Sequence, residues 1–574
     1  MSRKYRIVAC VIFVLAWALP VMAQQTAIIS SNDIHHPVYA KHGMVASQEA
    51  VATRIGVDIL RRGGNAVDAA VAVGFALAVT LPRAGNIGGG GFMLVHSAEK
   101  GETVAIDYRE QAPKRAHRDM YLDETGAAVK ARSRFSHLAT GVPGTVAGLA
   151  MALERYGSLD LATVMAPAIK LAANGILVSQ DLARSLRSRA ERLQKNAEAR
   201  RIFYRPDGGA YAAGDWLVQA DLGRSLQLIA EQGPAAFYQG DIAGKIVAEM
   251  AANGGFITAE DLAGYRPIAR QPVRGRYRGY EIASMPPPSS GGIHLVQLLN
   301  ILEGFPLAEL GHNSAAGIHL MAEAMKRAYA DRAVYLGDPD FVSVPVAGLT
   351  SRAYAAALRE KIDPDQAALS TDIAAGPAPA YESRETTHFS VMDRFGNVVS
   401  NTYTINFSFG SGIIAAGTGI FLNNEMDDFS AKPGVPNAYG LIGGEANAVG
   451  PGKRPLSSMT PTIVFQDGKP VLATGSPGGS RIITTVLQTI VNWADHGLNV
   501  AAAAAAPRFH HQWLPDILFM EQGFSPDTLA LLKTKGHQIK VTRAMGSTQT
   551  VQRIEGGFLG ASDPRRQGTL TAGY

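Results

Sequence analysis

The chain has 574 residues, 47% hydrophobic and 18% charged, with 61 Gly, 30 Pro and one Cys. That balance excludes a disordered or fibrous protein and allows an enzyme-sized core, as one large domain or two to four smaller ones. Arg3, Lys4 and Arg6 carry three of the five net positive charges, and the near-neutral remainder argues against nucleic acid as a partner.

Those three cations precede an apolar run over residues 7–21, and Val21-Met22-Ala23 is a small-x-small cleavage signal. The run is about 15 residues, short of the ~20 that span a bilayer, so residues 1–23 read as a secretory signal peptide and not as an anchor. No stable membrane anchor is expected. Cys10 lies inside the signal, so the mature chain has no thiol, no disulfide and no Cys-based metal site. Export without cysteine fits an oxidising compartment such as a bacterial periplasm.

Ser47 is placed to cap a helix through Val51, Ile55, Ile59 and Leu60 that stops at Gly63-Gly64. Asn65 caps a second helix over 66–79. It is apolar on every side but too short for a span, and reads as a buried core helix. The glycines over 85–91 allow tight turns or close backbone approach before a strand at 92–95. No Gly-Lys-Ser/Thr follows, which removes the phosphate-loop reading. Residues 103–110 read as a strand running into charge, and helices are predicted from Thr145 toward Arg155 and over 161–173. Residues 184–201 hold seven Lys/Arg and two Glu at roughly helical spacing with no aromatics between them, a solvated helix face. A strand over 280–284 stops at Pro286-Pro287-Pro288, Ser289 or Ser290 caps a helix over 292–302, and a long helix covers 314–336. Residues 363–385, Pro- and Ala-rich and aperiodic, read as an exposed, mobile segment.

The hairpin comes next. Residues 386–393 and 398–406 largely alternate apolar and polar around Arg394-Phe395-Gly396-Asn397. A Thr-Thr pair opening a strand is ordinarily a plain β-former. After a loose loop it also admits a specific chemistry. If the chain were cut before Thr386, one residue would carry both a hydroxyl nucleophile and an α-amine base. Further on, 432–452 is a Gly-, Pro- and Asn-rich stretch long enough to be a lid. A second hairpin turns at Asp467-Gly468, a helix runs over 481–493, and another is capped at Asn499 and ended by Pro507. Helices cluster before Thr386 and strands around and after it, without a βαβ repeat. That order predicts a layered α+β domain assembled from both halves.

Asp427 and Asp428, beside Asn423, Asn424 and Glu425, form either a solvated turn or a site for an ammonium group. Ser457 and Ser458 offer two hydroxyls in a row. Ser476-Pro477-Gly478-Gly479-Ser480 at a helix start presents backbone N–H groups that can hold an oxyanion, or is a simple turn with a cap. His35-His36 and His510-His511 lack the third ligand a metal site needs, so no metal is expected, and no cofactor.

Four motifs in order carry a resemblance: Thr386-Thr387-His388, Asn423-Asn424-Glu425-Met426-Asp427-Asp428-Phe429-Ser430, Pro455-Leu456-Ser457-Ser458-Met459 and Gly475-Ser476-Pro477-Gly478-Gly479. Together they resemble γ-glutamyltranspeptidase, closest to its bacterial periplasmic type, from near Val45 to Tyr574. The resemblance implies an Ntn-hydrolase αββα sandwich and a precursor cut between Glu385 and Thr386. The products would be a large subunit (24–385) and a small one (386–574), paired as a heterodimer. It implies Thr386 as nucleophile, Thr404 as the residue orienting it, and Gly478 and Gly479 as the oxyanion hole. Arg109, Ser457 and Ser458 would hold the substrate α-carboxylate, and Asp428 with Asn406 and Glu425 its ammonium. Tyr439 would be the lid tyrosine. The implied donor is glutathione or another γ-glutamyl amide, and the acceptor is water, an amino acid or a peptide. The alternatives are a related acylase of the cephalosporin or glutaryl type and a non-enzymatic amino-acid-binding protein. Glu425 is glutamine in some relatives, and Glu385 stands where relatives often carry another polar residue.

Overall fold

The computed structural model describes residues 33–373, 386–432 and 444–574, and its folded body runs from Pro37 to Tyr574. The expected signal peptide, Glu385 and Tyr439 lie outside the described residues.

Two seven-stranded sheets form the centre. In spatial order the first is Leu570–Gly573, Gly43–Ser47, Thr387–Asp393, Val398–Thr404, Gly90–Ser97, Glu102–Tyr108 and Ile268–Arg270. The second is Val38–Ala40, Gly557–Ser562, Gln549–Ile554, Lys469–Thr474, Thr462–Gln466, Tyr280–Ser284 and Val273–Tyr277. Every pairing in both is antiparallel.

The period-2 alternation of strands assigns the layers. Val45, Phe389, Val391, Val399 and Val95 pack against the helices Ala50–Arg61, Ala66–Thr80, Thr145–Tyr156 and Leu161–Asn174. Met44, Ala46, Phe92, Leu94, Met392 and Val398 face the other way. They share a core with Ile463, Leu472 and Val551 of the second sheet and with the helices Gly291–Leu302, Ala315–Tyr335 and Arg481–Ala494. The result is a helix–sheet–sheet–helix sandwich, the layered α+β arrangement expected. Each buried Val, Leu, Ile or Phe contributes roughly 1.5–3 kcal/mol to holding it.

The hairpin lies at the centre of the first sheet, and every residue of both its strands is buried. Its polar face meets the second sheet and not water. Ser400 donates to Thr474 O at 3.0 Å, Ser390 to Gln549 O at 2.9 Å, and the His388 ring sits between Thr402 (2.8 Å) and Ser390 (3.0 Å). Burial pushes the His388 imidazole down to about 3, so it stays neutral. Asp393, at the strand's far end, accepts from Ala66 N at 2.8 Å and so caps the core helix Ala66–Thr80. Asn65 and Asp68 form the capping box of that helix, and all its residues are buried.

Three details differ from the sequence reading. Ser47 ends a strand and bonds Thr53 at 2.7 Å, while the Glu49 carboxylate takes the helix N-cap from Val51 and Ala52. An anion there satisfies two orphan N–H groups and complements the helix dipole, which outcompetes a hydroxyl. The basic stretch is two helices, Gln180–Leu193 and Ala197–Phe203, split at Asn196, which caps the second. Arg192, on the first of the two, is half-buried and not fully solvated. It donates to Gly410 O at 2.7 Å and to Ser408 O.

Candidate functional site

Thr386 is the first described residue of its segment and lies one position before its strand, 5% exposed. Its Oγ1 is 3.4 Å from Thr404 Oγ1, at the end of the partner strand. Thr404 Oγ1 also accepts from Asn406 N at 2.8 Å, and Asn406 takes a left-handed φ of 68° that lets the chain turn back onto the threonine. The glycine run sits beneath. A Cβ on Gly89 would lie 2.1 Å from Thr404 O, and one on Gly88 would lie 2.2 Å from Phe421 O. Close backbone approach is therefore what these glycines provide.

A cleft brings together Thr386, Thr404, Arg109, Glu425, Asp428, Ser457, Ser458 and Gly479. Gly479 follows Gly478, and their φ values of 58° and 140° lie where a side chain would be strained. They precede the helix Arg481–Ala494, and Gly479 lines the cleft together with Thr386. Gly478 and Asn406 do not line the cleft. Asn406 is instead bound through Nδ2 to Asn424 O at 2.9 Å, so it supports Thr404 from behind.

Arg109 leaves the end of strand Glu102–Tyr108 and is fixed by its backbone. Its N–H donates to Asp107 at 3.0 Å, and its carbonyl accepts from Tyr265 OH (2.9 Å) and Arg454 Nη1 (2.6 Å). Its guanidinium donates to Asp428 at 2.5 Å, to Glu425 and to Pro455 O at 3.1 Å, with Glu110 at 3.6 Å. Asn423 holds the acidic turn Glu425–Asp428 in place by donating to Gly88 O (2.9 Å) and Gly141 O (2.8 Å) and accepting from Glu425 N (3.0 Å).

Burial raises the carboxyls of Glu110 (to about 7), Glu425 and Asp428, and Arg109 pulls each of them back down. For Arg109 itself, burial works against the charge, and the surrounding carboxylates more than reverse it. One guanidinium faces three acids. With the acids ionised the cluster carries excess negative charge that draws in a cation, and each proton bound there lessens that pull. Asp427 points away, accepting from Ser133 at 2.5 Å, and burial pushes it up to about 7.

Sequence reasoning missed Arg332 and Glu110. Arg332 lies in the last turn of the long helix and lines the cleft, 4% exposed. A helix-end arginine is ordinarily solvated, so its sequence carries no signal. Glu110 was legible only as charge following a strand. His510 and His511 are buried against Thr484 and Gln512 and against Asp516 respectively, away from the cleft lining. No helix among the described residues is long and apolar enough to cross a membrane.

Two antiparallel sheets face to face between helical layers, with a threonine at the edge of a central strand opening on a charged cleft, are the architecture of an Ntn-hydrolase enzyme. Residues 52–573 match the family described as Gamma-glutamyltranspeptidase. The chain is 58% identical over 544 residues to the glutathione hydrolase proenzyme of Escherichia coli (strain K12), covering 95% of this chain and 94% of that protein. It is 40% identical over 545 residues to the acylase ACY 1 proenzyme of Pseudomonas sp. (strain SE83), covering 93% and 94%. Among solved structures, the cephalosporin acylase from Bacillus halodurans superposes with a TM-score of 0.82 at 30% identity, covering 95% of this chain and 98% of that one. The Helicobacter pylori γ-glutamyltranspeptidase gives 0.57 at 48% identity, covering 60% of this chain and 97% of that one. The chain belongs to the γ-glutamyltranspeptidase family.

Proposed function

We propose that this protein is made as a precursor, cuts itself before Thr386, and then moves γ-glutamyl groups from glutathione or other γ-glutamyl amides to water or to amino acids and peptides. Residues 1–23 direct it to the periplasm. Residues 24–385 become a large subunit and 386–574 a small one, with 432–452 and its Tyr439 as a lid. The names of the relatives support the precursor and the donor: the E. coli and Pseudomonas proteins are glutathione hydrolase proenzymes. Nearly all of the H. pylori chain aligns with only 60% of this one, the kind of share a division before Thr386 would leave in the larger piece.

In this reading the Thr386 α-amine takes the hydroxyl proton as Oγ1 attacks the γ-carbonyl carbon. The oxyanion forms against the Gly478 and Gly479 backbone. The leaving amine takes the proton, leaving a γ-glutamyl ester on Thr386. Water or an incoming amine gives up a proton and breaks that ester, and the hydroxyl is restored. Thr404 orients the nucleophile. Arg109, Ser457 and Ser458 hold the α-carboxylate, and Asp428 and Glu425, with Asn406 behind, receive the ammonium.

The observation that carries this reading is that Thr386 shares one cleft with both a guanidinium and a pair of carboxylates. A γ-glutamyl group has both charges on one carbon, whereas a glutaryl group has no ammonium to place against Asp428. The acylase relatives make the glutaryl reading the one to exclude. Intact mass and activity on γ-glutamyl and glutaryl p-nitroanilides test it. Two pieces and preference for the γ-glutamyl anilide are expected, while Thr386→Ala gives one uncut, inactive chain. Cleavage that persists in Thr386→Ala would overturn the nucleophile, and preference for the glutaryl anilide would overturn the substrate class.

A further inference from the structure

Arg332 poses a question that the γ-glutamyl reading does not answer. The Arg109 guanidinium already faces Glu110, Glu425 and Asp428. An arriving carboxylate therefore meets a cluster that is net negative or at best neutral, and one cation is too few to hold it. Arg332 lines the same cleft, and among the described residues no carboxylate lies within ion-pair distance of it. A buried guanidinium without an ionic partner is costly unless a ligand supplies the charge.

Its bonds also reach both cleft serines. Arg332 Nε–H donates to Ser290 Oγ at 2.9 Å, and Ser290 in turn donates to Ser457 O at 2.7 Å. Arg332 Nη2–H donates to Ser458 Oγ at 3.1 Å. A hydroxyl oxygen that accepts from a guanidinium turns its own proton elsewhere. Ser458 is thereby preset as a donor. Arg332 Nη1 makes no hydrogen bond to a described residue.

Resting on the γ-glutamyl reading above, we propose that Arg332 is the second cation of the donor site. It offsets the acids around Arg109, faces the donor's α-carboxylate, and orients Ser458 to donate to it. It is thus a specificity residue for donors that carry a carboxylate on the ammonium-bearing carbon. Arg109 holds the α-carboxylate while contacting the acids that read the ammonium, and Arg332 adds the second positive charge beside it.

The matured full-length enzyme tests this with two anilides. One is γ-glutamyl-p-nitroanilide. The other is 4-aminobutyryl-p-nitroanilide, the same acyl group without the α-carboxylate. Losing charged hydrogen bonds predicts that Arg332→Gln raises KM for the first about 10- to 100-fold with kcat within about threefold. The second anilide changes by less than about threefold. Arg332→Lys recovers part of the loss, since an ammonium keeps the charge but cannot serve Ser290 and Ser458 together. Where Arg332→Gln does not mature, Arg332→Lys and Ser290→Ala are read for the same KM shift. An unchanged KM, or a loss carried by kcat and shared equally by both anilides, overturns the proposal by reducing Arg332 to a structural role. Wild-type enzyme inactive on γ-glutamyl-p-nitroanilide refutes the γ-glutamyl reading instead.

Discussion

Thr404→Val separates two costs that the structure assigns to one hydroxyl. Valine keeps the β-branched shape in its strand, so packing is preserved. The first loss is the acceptor for Asn406 N, a buried bond of 2.8 Å. Stranding a buried N–H costs about 1–3 kcal/mol, which should appear as a lower unfolding midpoint. The second loss is the Thr386 contact at 3.4 Å, a long neutral bond. Its net worth of about 0.5–1.5 kcal/mol sets the floor, roughly a 2- to 10-fold fall in kcat, and poorer orientation of the nucleophile adds to it. The assay pairs urea unfolding with steady-state hydrolysis of γ-glutamyl-p-nitroanilide and intact mass. Thr404→Ser, which retains the hydroxyl, should stay close to wild type in both. If Thr404→Val matures and turns over normally, or if Thr404→Ser fails as badly, the assignment of Thr404 as the orienting hydroxyl is wrong.

Two further perturbations follow from the charged cleft. Arg109→Lys keeps a charge but cannot hold Asp428, Glu425 and Pro455 O together, so KM should rise about 10-fold or more while cleavage before Thr386 continues, with KM from steady-state kinetics and cleavage from a denaturing gel; an unchanged KM would remove Arg109 from the substrate site. Asp427, raised from 3.8 to about 7 by burial, binds its proton more tightly folded than unfolded. Its stabilisation is fully present below about pH 3.8 and is lost as pH rises through about 7. Asp427→Asn cannot ionise, so in urea unfolding the wild type should lose stability relative to the variant between about pH 4 and 7 and level off above, and a flat profile or the opposite trend would refute the buried proton.

Much of the architecture could be read locally because local chemistry decides it. Asn65 and Asp68 spell a capping box, and Asp467-Gly468, with φ of 51° and 74°, spells a tight hairpin turn. The hairpin after Thr386 was legible as strands but not as a fully buried pair. Ser, Thr and His on one face ordinarily signal water, and here they meet a second sheet whose carbonyls accept their protons. The site was readable only in pieces. Thr386, the acidic turn and the serine pair each stand out, yet Arg109 is 319 positions from Asp428, and nothing local joins them. Arg332 was invisible for the same reason: its partners Ser290 and Ser458 are 42 and 126 positions away.

The placement of the hairpin has a further consequence. Strand Thr387–Asp393 is laced to Gly43–Ser47 on one side, and Val398–Thr404 to Gly90–Ser97 on the other. Both flanking strands precede Thr386, so breaking the chain there changes connectivity without changing any neighbour. The two products should behave as one cooperative body that dilution cannot separate. Halves expressed apart would each lack the middle or the flanks of the same sheet, and neither would have a native surface waiting for the other. For the cleavage proposed before Thr386, covalent continuity would then be a requirement of assembly and not of the finished molecule, with the sheet complete before the chain is cut.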